Sequence, residues 1–335
     1  MPDRTIDPVD SLVLDEIGDL PPGRIVVLGD DHAGLTAALV ELAGPRVAAH
    51  NDSLVGERRL AGTGAEVIQD LVTALTGAEL VVLRLPKSLD ALDEIARTAA
   101  RVAAPDVRVV AGARTKHMTP SMNEVLAASF TQVHASLGRQ KSRVLHAAGP
   151  RPVEQRWPRQ RRHEDLDLTV YAHGAAFAGT RVDAGTALLA GQLHLLRDTE
   201  GTVVDLGCGT GILAALLARR FSHVLALDVS AAAVASTRLT TGGSVDVRRA
   251  NGLTELADAS VATIVSNPPF HIGSAKDSTP TLGMIKDAGR VLEPGGELML
   301  VFNAHLPYLP RLQRLGRTDI VLRDRHYLVT RTVRT

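Results

Sequence analysis

Two short segments in the second half of the chain combine residue types that suit ligand binding and chemistry. In the first, the apolar run TVVDL carries Asp205 near its end, followed by Gly207, Gly209 and Gly211 and then by an Ala/Leu-rich stretch. Glycines let the backbone turn sharply and approach a ligand closely, and a helix that begins there leaves amide donors free. The segment predicts a ligand-binding turn between a strand and a helix. A tight turn without a ligand is the alternative interpretation.

The spacing of these glycines distinguishes between ligand classes. A dinucleotide fingerprint needs a further glycine where Ile212 stands, and it does not include an acid two residues before the first glycine. Asp228 closes the next apolar run, HVLALD, where its carboxylate can accept both hydroxyls of a ribose. A third run, SVDVR, leads into Asn251. The pattern favours a nucleoside-containing ligand other than a dinucleotide.

The second segment is VATIVSNPPFH, in which a predicted strand delivers Asn267, Pro268, Pro269 and Phe270 to the carboxyl edge of a sheet. The side-chain oxygen of Asn267 and the carbonyl of Pro268 can each accept one N–H of a planar amine, which favours a pyramidal, nucleophilic nitrogen. Two prolines hold those carbonyls extended. Phe270 can stack on an extruded base. The alternative is a proline turn with Phe270 in the core, but the position one strand beyond a ligand loop favours function.

Composition limits the other possibilities. With 335 residues, the chain is long enough for two domains, and its 45% hydrophobic and 22% charged residues are typical of a globular protein. The beginning MPDRTIDPVD has no apolar core of a leader, and no stretch approaches the ~18 apolar residues of a membrane helix. We therefore expect a soluble cytoplasmic protein. A single cysteine and twelve histidines without metal-ligand spacing predict no metal site.

Strand-like and helix-like runs alternate twice along the chain, between residues 23 and 134 and again from residue 202. This alternation predicts two doubly wound α/β domains, with a boundary near residue 160. Between them, residues 139–162 contain eight Lys or Arg and one acid, and are predicted to form a solvated basic connector. This connector and the arginine-rich stretch 311–335 are candidates for phosphate contact, with a merely solvated surface as the alternative.

A strand-terminal acid followed by G-x-G-x-G resembles the S-adenosylmethionine (AdoMet) loop of class I methyltransferases. The chain as a whole is similar to the ribosomal RNA guanine-N2 methyltransferases of both ribosomal subunits. Beyond the two motifs, the segments FAGTRVDAGTALL (177–189) and NAHLPYLPRL (303–312) carry the resemblance. In the first half, RLPKSLDALDEI (84–95) and RVVAGARTKHMTPSMNEVL (108–126) look closest to the large-subunit branch.

The resemblance implies an α/β fold of two tandem Rossmann-like class I methyltransferase domains. Residues 161–335 would be the catalytic, AdoMet-dependent domain. Residues 1–160 would be a degenerate copy that includes the connector and helps to hold RNA, since its loop Gly29–Gly34 lacks the acid and the alternating glycines. The substrate implied is the N2 amine of a guanine in ribosomal RNA, with the large subunit favoured.

The resemblance also assigns individual residues. Asp205 would serve the cationic amino group of AdoMet, the loop Gly207, Cys208, Gly209 and Gly211 would border its methionine and ribose parts, Asp228 would bind the ribose hydroxyls, and Asn251 would flank the adenine. The catalytic set would be Asn267, Pro268, Pro269 and Phe270. Where the family usually carries a polar or basic pair after Phe177, this chain has Ala178 and Gly179, and Arg181 is the candidate to replace that charge.

Three alternatives stay open at this point. Asn-Pro-Pro-aromatic sites also serve adenine N6 and the side-chain amide of a protein glutamine. An RNA-binding or assembly protein that has kept the loop without catalysis is the third, although the intact Asn267–Phe270 segment argues against it. Because the first domain can take the place of a second subunit, a monomer could be sufficient.

Overall fold

The computed structural model describes residues 7–268 and 279–335. The chain divides into two compact units, Met1–Trp157 and Pro158–Thr335. The boundary that the sequence predicts, near residue 160, lies close to this division. Each unit contains one seven-stranded sheet with helices, and the second unit adds a small two-stranded sheet.

The first unit contains six α-helices and seven strands within its described residues. In chain order they are α1 (Pro8–Glu16), β1 (Arg24–Leu28), α2 (Gly34–Ala43), β2 (Val47–His50), α3 (Leu54–Leu60), β3 (Glu66–Val67), α4 (Leu71–Leu75), β4 (Ala78–Arg84), α5 (Leu89–Val102), β5 (Arg108–Arg114), α6 (Pro120–Ala127), β6 (Phe130–Ala135) and β7 (Ser142–Pro150). Short 3-10 turns occupy Gly44–Arg46 and Thr115–His117.

The described part of the second unit begins with a hairpin and then repeats the same succession. Its elements are β8 (Arg159–His163), β9 (Leu168–Ala172), α7 (Ala184–Ala190), β10 (Val203–Leu206), α8 (Ile212–Leu217), β11 (Val224–Asp228), α9 (Ala231–Thr241), β12 (Asp246–Arg249), β13 (Val261–Ser266), α10 (Thr279–Val291), β14 (Leu292–Asn303), α11 (Leu309–Leu315), β15 (Gly316–Arg323) and β16 (Tyr327–Arg334). A 3-10 turn covers Leu193–Leu195.

The two large sheets have the same topology. Their strand orders are β3-β2-β1-β4-β5-β7-β6 and β12-β11-β10-β13-β14-β16-β15. In each sheet the first five strands of that order are parallel, and the last two pair antiparallel at one side. The sequence prediction of two tandem doubly wound domains is confirmed.

Burial on both faces explains why the central strands are continuous apolar runs. Successive side chains of a strand point to opposite faces, so β1 contributes Val26 and Leu28 to one apolar layer and Ile25 and Val27 to the other. In the second unit, β10 contributes Val204 and Leu206 to one layer and Val203 to the other. Asp205 is therefore a polar residue inside an otherwise apolar strand.

The basic connector is shorter than the sequence predicts. Strands β7 and β8 take up most of residues 139–162, and only 151–158 lie between them. Arg139 forms an ion pair with Asp15 of the first unit, so it is not simply solvated. The expectation of a solvated connector over this whole range was wrong because the apolar residues of SRVLHAA alternate along the chain and pair as a strand with β5 and β6, despite the arginines around them.

A buried carboxylate ties the second sheet to the segment that precedes it. Glu297 of β14 is almost completely buried, and it receives hydrogen bonds from the side chains of Arg331 and Arg197. Burial opposes the ionisation of Glu297, but the hydrogen bonds from the Arg331 side chain and from the backbone and side chain of Arg197 outweigh it and lower the pKa of this carboxyl below its ordinary value. Glu297 is therefore an ionised, satisfied group in the core.

We expect Glu297→Gln to lower the free energy of unfolding at pH 7 by about 1.5–3 kcal/mol, the usual cost of losing hydrogen bonds to a charged group. A carboxylate whose pKa is lowered by folding stabilises the folded protein at pH values above its unfolded pKa of about 4.3. This stabilisation is lost as the pH falls through the folded pKa. Urea unfolding should show the difference from the wild type shrinking towards pH 3. Glu293→Gln, at an exposed position of the same strand, is the control. An equal loss at both pH values would contradict this explanation.

Candidate functional site

The glycine turn between β10 and α8 is hydrogen-bonded to the neighbouring strand β11, and one side of the turn borders open space. The backbone N–H groups of Gly207 and Cys208 both donate to the carbonyl of Leu227, at 2.8 and 3.0 Å. A Cβ on Gly207 would meet nothing within 4 Å, whereas one on Gly211 would lie 2.9 Å from Thr237. Gly211 is thus required for packing, and Gly207 borders free space that a ligand can occupy.

Asp228, at the end of β11, joins the glycine turn to the second predicted ligand position. One carboxylate oxygen accepts from the backbone N–H of Gly209 at 2.9 Å, and the other accepts from that of Ser230 at 2.9 Å. The carbonyl of Asp228 accepts from the N–H of Ala250 at 2.8 Å, which places the exposed Asn251 at the same edge. The structure therefore places Asp228 and Asn251, which the sequence predicts to bind the ribose and the adenine of the ligand, at the same edge of the sheet.

Asp205 is buried, with 1% of its surface exposed, and neither carboxylate oxygen has a hydrogen-bond partner among the described residues. Burial raises the pKa of Asp205 to about 7, the charge of Asp228 adds to the rise, and the N–H of Ala214 opposes it without completing a hydrogen bond. An unsatisfied buried carboxylate destabilises a protein. Such a group suits a site whose cationic partner arrives with the ligand.

Cys208, within the loop, forms part of its wall. The thiol is buried and receives a hydrogen bond from the hydroxyl of Thr237 at 3.3 Å. Burial raises the pKa of Cys208 well above its ordinary value, and the nearby carboxylates of Asp205 and Asp228 add to the rise. The sulfur is therefore a neutral, polarisable surface rather than a nucleophile.

Asn267 follows β13, the strand beside β10. Ser266 pairs with Leu206 in the parallel register, and its hydroxyl donates to the carbonyl of Leu206 at 2.7 Å. The side-chain oxygen of Asn267 is buried and has no hydrogen-bond partner among the described residues. Pro268 is buried. Pro269 and Phe270, the other two predicted catalytic residues, lie outside the described residues.

The side-chain nitrogen of Asn267, in contrast, has partners that sequence reasoning did not single out. It donates to Asp183 at 3.2 and 3.4 Å and to the hydroxyl of Thr186 at 3.1 Å. Asp183 is the N-cap of α7 and accepts from the backbone of Gly185 at 3.0 Å. A capping aspartate can be recognised from sequence, but its contact with a residue 84 positions away cannot.

The first unit shows what the same turn looks like when it is satisfied internally. Leu28 pairs with His50 and Leu83, just as Leu206 pairs with Leu227 and Ser266. This register places Val27, Asp31, Ala33, Asn51 and Arg84 where the second unit has Asp205, Gly209, Gly211, Asp228 and Asn267, respectively.

In that turn the polar side chains bind one another. Asn51 donates to Asp31 at 3.0 Å, and buried Asp30 accepts from the backbone and the hydroxyl of Thr36 at 2.8 and 2.9 Å. The side chain of Asp31 stands at the position of the side-chain-free Gly209. The loss of the glycine pattern in the sequence thus corresponds to a turn that is filled and paired internally.

Comparison with known proteins agrees with this division. The methyltransferase small domain model matches residues 167–331, and the RLMG N-terminal domain model matches residues 4–151. Ribosomal RNA large subunit methyltransferase G of Streptomyces avermitilis is 33% identical over 338 residues, covering 93% of this chain and 87% of the relative. The protein of the same name from Pectobacterium atrosepticum is 28% identical, covering 98% and 92%. The chain belongs to the ribosomal RNA large subunit methyltransferase G family.

A solved structure shows the same fold over almost the whole chain. The T. thermophilus 16S rRNA N2 G1207 methyltransferase, in complex with AdoMet and guanosine, has a TM-score of 0.81 and 23% identity, covering 99% of this chain and 93% of its own. The predicted tandem class I methyltransferase fold, the resemblance to rRNA guanine-N2 methyltransferases and the prediction of an AdoMet-dependent rRNA methyltransferase are confirmed at the level of the family.

The described residues include neither a cluster of metal ligands nor a membrane-spanning helix. Within 7–268 and 279–335, no three His, Cys, Asp or Glu side chains form a group that could hold a metal ion. No helix in these ranges is both long and apolar enough to cross a membrane.

Because the Asp205 carboxylate is buried without a partner among the described residues, its replacement should stabilise the ligand-free protein. We expect Asp205→Asn to raise the free energy of unfolding of the ligand-free protein at pH 8 by about 1–3 kcal/mol, because asparagine carries no charge and an unpaired buried charge costs more than an unpaired buried amide. An acid whose pKa is raised by folding destabilises the folded wild type more and more as the pH rises from the unfolded pKa to the folded pKa. The stability gained by Asp205→Asn should therefore grow from about pH 4 to about pH 7 and then stay constant.

Chemical denaturation at several pH values measures this gain, and Asp30→Asn is the matched control. Asp30 is a buried carboxylate of the corresponding turn in the first unit, but it is hydrogen-bonded, so its replacement should destabilise. A loss of stability with Asp205→Asn at pH 8 would show that its carboxylate is satisfied in the ligand-free protein.

Proposed function

We propose that this chain transfers a methyl group from AdoMet to the exocyclic N2 of a guanine in large-subunit ribosomal RNA. One observation carries the proposal: two buried acceptors, the Asp205 carboxylate and the Asn267 side-chain oxygen, lie near the ends of adjacent parallel strands and have no hydrogen-bond partner among the described residues. A cation and an N–H donor are the ligands that such acceptors need. AdoMet and a base amine supply one of each.

The residues around the glycine turn fit AdoMet. Asp205 would receive its ammonium group, and ionisation of this carboxyl would be favoured by the bound cation. Asp228 lies at the end of β11, where the turn holds its carboxylate through the backbone N–H groups of Gly209 and Ser230, and it would bind the ribose hydroxyls. The open space at Gly207 and Gly209 leaves room for the ligand, and Asn251 lies at the edge where the adenine would be flanked.

The side-chain oxygen of Asn267 would accept one N–H of the base amine, and the carbonyl of Pro268 would accept the other. These hydrogen bonds orient a nitrogen whose lone pair is otherwise delocalised into the ring. AdoMet supplies the methyl group: the amine lone pair forms the N–C bond while the methyl–sulfur bond breaks and its electron pair stays on sulfur. Because the nitrogen becomes acidic only at that point, its proton can pass to solvent without a strong base.

The choice of guanine and of the large subunit is supported by the relatives. Those that match this chain at 28–33% identity are named as large-subunit enzymes, and the structural neighbour, named for a 16S guanine, was solved with guanosine. Phe270 is proposed to stack on the guanine, as the sequence suggests. The satisfied turn of the first unit supports a scaffold or RNA-holding role for that unit rather than a second AdoMet site.

The C-terminal arginines are proposed to contact RNA phosphates. Exposed side chains that carry no ion pair among the described residues are those of Arg311, Arg314, Arg323 and Arg325. They lie on α11 and at the β15–β16 turn. In contrast, Arg331 of the same stretch is engaged with Glu297. The first group is free to neutralise phosphates, and the second is structural.

The proposal is tested by incubating the full chain with radiolabelled AdoMet and unmodified ribosomal RNA of each subunit, followed by digestion to nucleosides. We expect labelled N2-methylguanosine from the large-subunit RNA, and a loss of at least about a hundred-fold with Asn267→Ala, in the range seen when an orienting contact at the reacting centre is removed. Label in another nucleoside, in the small-subunit RNA or in protein would show that the substrate is a different one. Unchanged activity of Asn267→Ala would show that Asn267 is not part of the catalytic site.

For the arginines we expect the double variant Arg323→Glu/Arg325→Glu to weaken RNA binding and to reduce the slope of log affinity against log salt by about 1–2, since each phosphate contact contributes nearly one. Arg101→Glu, an exposed site on α5, is the matched control and should leave the slope unchanged. An unchanged slope in the double variant would mean that these arginines form an ordinary solvated surface. Filter binding from 50 to 300 mM salt, roughly the range in which such effects are large, is the measurement.

A further inference from the structure

Asn267 can serve as an acceptor only if its side-chain amide is held one way round. An asparagine side chain presents an oxygen on one side and an NH₂ group on the other, and the two have nearly the same shape. If the amide were reversed, the NH₂ group would face the amine of the substrate, and two donors would oppose each other. Some group must therefore distinguish the two ends of this amide.

Asp183 has the chemistry to do so. A carboxylate group accepts hydrogen bonds and donates none, and the carboxylate of Asp183 lies 3.2 Å from the side-chain nitrogen of Asn267. The hydroxyl of Thr186 accepts from the same nitrogen at 3.1 Å and donates its own proton to Asp183. Both neighbours are then acceptors towards Asn267. The NH₂ group has two partners on this side, whereas the oxygen has none in the part of the chain that the structure describes.

We propose that Asp183, with Thr186, is a positioning residue that fixes the amide orientation of Asn267 and thereby holds its oxygen towards the amine of the substrate. This inference rests on the proposed function of Asn267. It adds a residue of the segment before the glycine turn to the machinery of methyl transfer, although Asp183 itself need not touch the substrate.

The geometry around Asp183 is rigid enough for this role. As the N-cap of α7 it accepts from the backbone N–H groups of Gly185 and Thr186, at 3.0 and 3.3 Å, so its carboxylate cannot turn away without exposing the helix end. A Cβ at Gly185 would lie 2.9 Å from the oxygen of Asn267 and 3.1 Å from its nitrogen. The glycine thus allows the close approach of α7 to Asn267, and the packing leaves the amide little space.

The first unit contains a natural counterpart of this contact. Asp7 is the N-cap of α1, accepts from Val9 at 2.8 Å, and forms an ion pair with Arg84 at 3.2 Å. Arg84 occupies the position of Asn267 in the matching register. A tie between the helix cap and the strand end therefore exists in both units, but a guanidinium offers no acceptor to a substrate. In the second unit, by contrast, the cap holds an amide whose oxygen has no partner within 7–268 and 279–335.

Asp183→Asn separates positioning from folding. Asparagine is as good an N-cap as aspartate, so α7 should stay intact and the melting temperature should change little. Its own amide can donate as well as accept, and Asn267 then loses the preference for one orientation. We expect the single-turnover rate of methyl transfer at saturating RNA and AdoMet to fall about ten- to a hundred-fold, as for loss of a hydrogen bond to a charged group, while AdoMet affinity is unchanged.

Three further variants make the test specific. Thr186→Val should lower the same rate, and Thr186→Ser, which keeps the hydroxyl, should restore most of it. Asp7→Asn makes the same change in the first unit and should leave the rate as it is. A wild-type rate in Asp183→Asn overturns the inference, and so does a loss of rate that is matched by a loss of AdoMet affinity or folding. If Asn267→Ala itself transfers methyl groups normally, the proposed function fails and not merely this extension.

Discussion

The parallel pairing of β10 with β13 determines how the rest of the site is arranged. Because Leu206 and Ser266 are partners in the register, the glycine turn after one strand and Asn267 after the other begin at the same height of the sheet. The hydrogen bond from the Ser266 hydroxyl to the Leu206 carbonyl adds a side-chain link at this junction. Donor and acceptor of a transferred group must meet within about 3–3.5 Å, and strand ends fixed by backbone hydrogen bonds can provide that precision.

The two units share one topology, but they differ in whether the polar groups at their strand ends are hydrogen-bonded within the protein. In the first unit the polar groups at the strand ends are paired with one another, as Asn51 is with Asp31. In the second unit the carboxylate of Asp205 and the oxygen of Asn267 are buried without partners among the described residues. Stability favours the first arrangement, since each unsatisfied buried group costs free energy. The second arrangement lowers stability unless a ligand satisfies the groups, and this contrast within one protein supports a ligand site in the second unit.

Much of this could be predicted from the sequence because the signals are local. The apolar strands, the glycines after Asp205 and the Asn-Pro-Pro-Phe segment each lie within a dozen residues, and backbone geometry ties residue type to position there. The contact of Asp183 with Asn267 could not be predicted, since it depends on how α7 packs beside β13. Likewise, the arginines of residues 139–162 suggested a solvated connector, whereas pairing with β5 and β6 makes part of it a core strand. The assignments of Pro269 and Phe270 stay predictions.

We propose that the carboxylate of Asp205, which has no partner among the described residues, receives the cationic end of AdoMet. Equilibrium binding of labelled AdoMet to the full-length wild type, Asp205→Asn and Asn267→Ala at pH 8 tests it most directly. We expect Asp205→Asn to weaken AdoMet binding by at least about ten-fold, in keeping with a lost hydrogen bond to a charged group, and Asn267→Ala to bind AdoMet as the wild type does. Equal binding by the wild type and Asp205→Asn would contradict it.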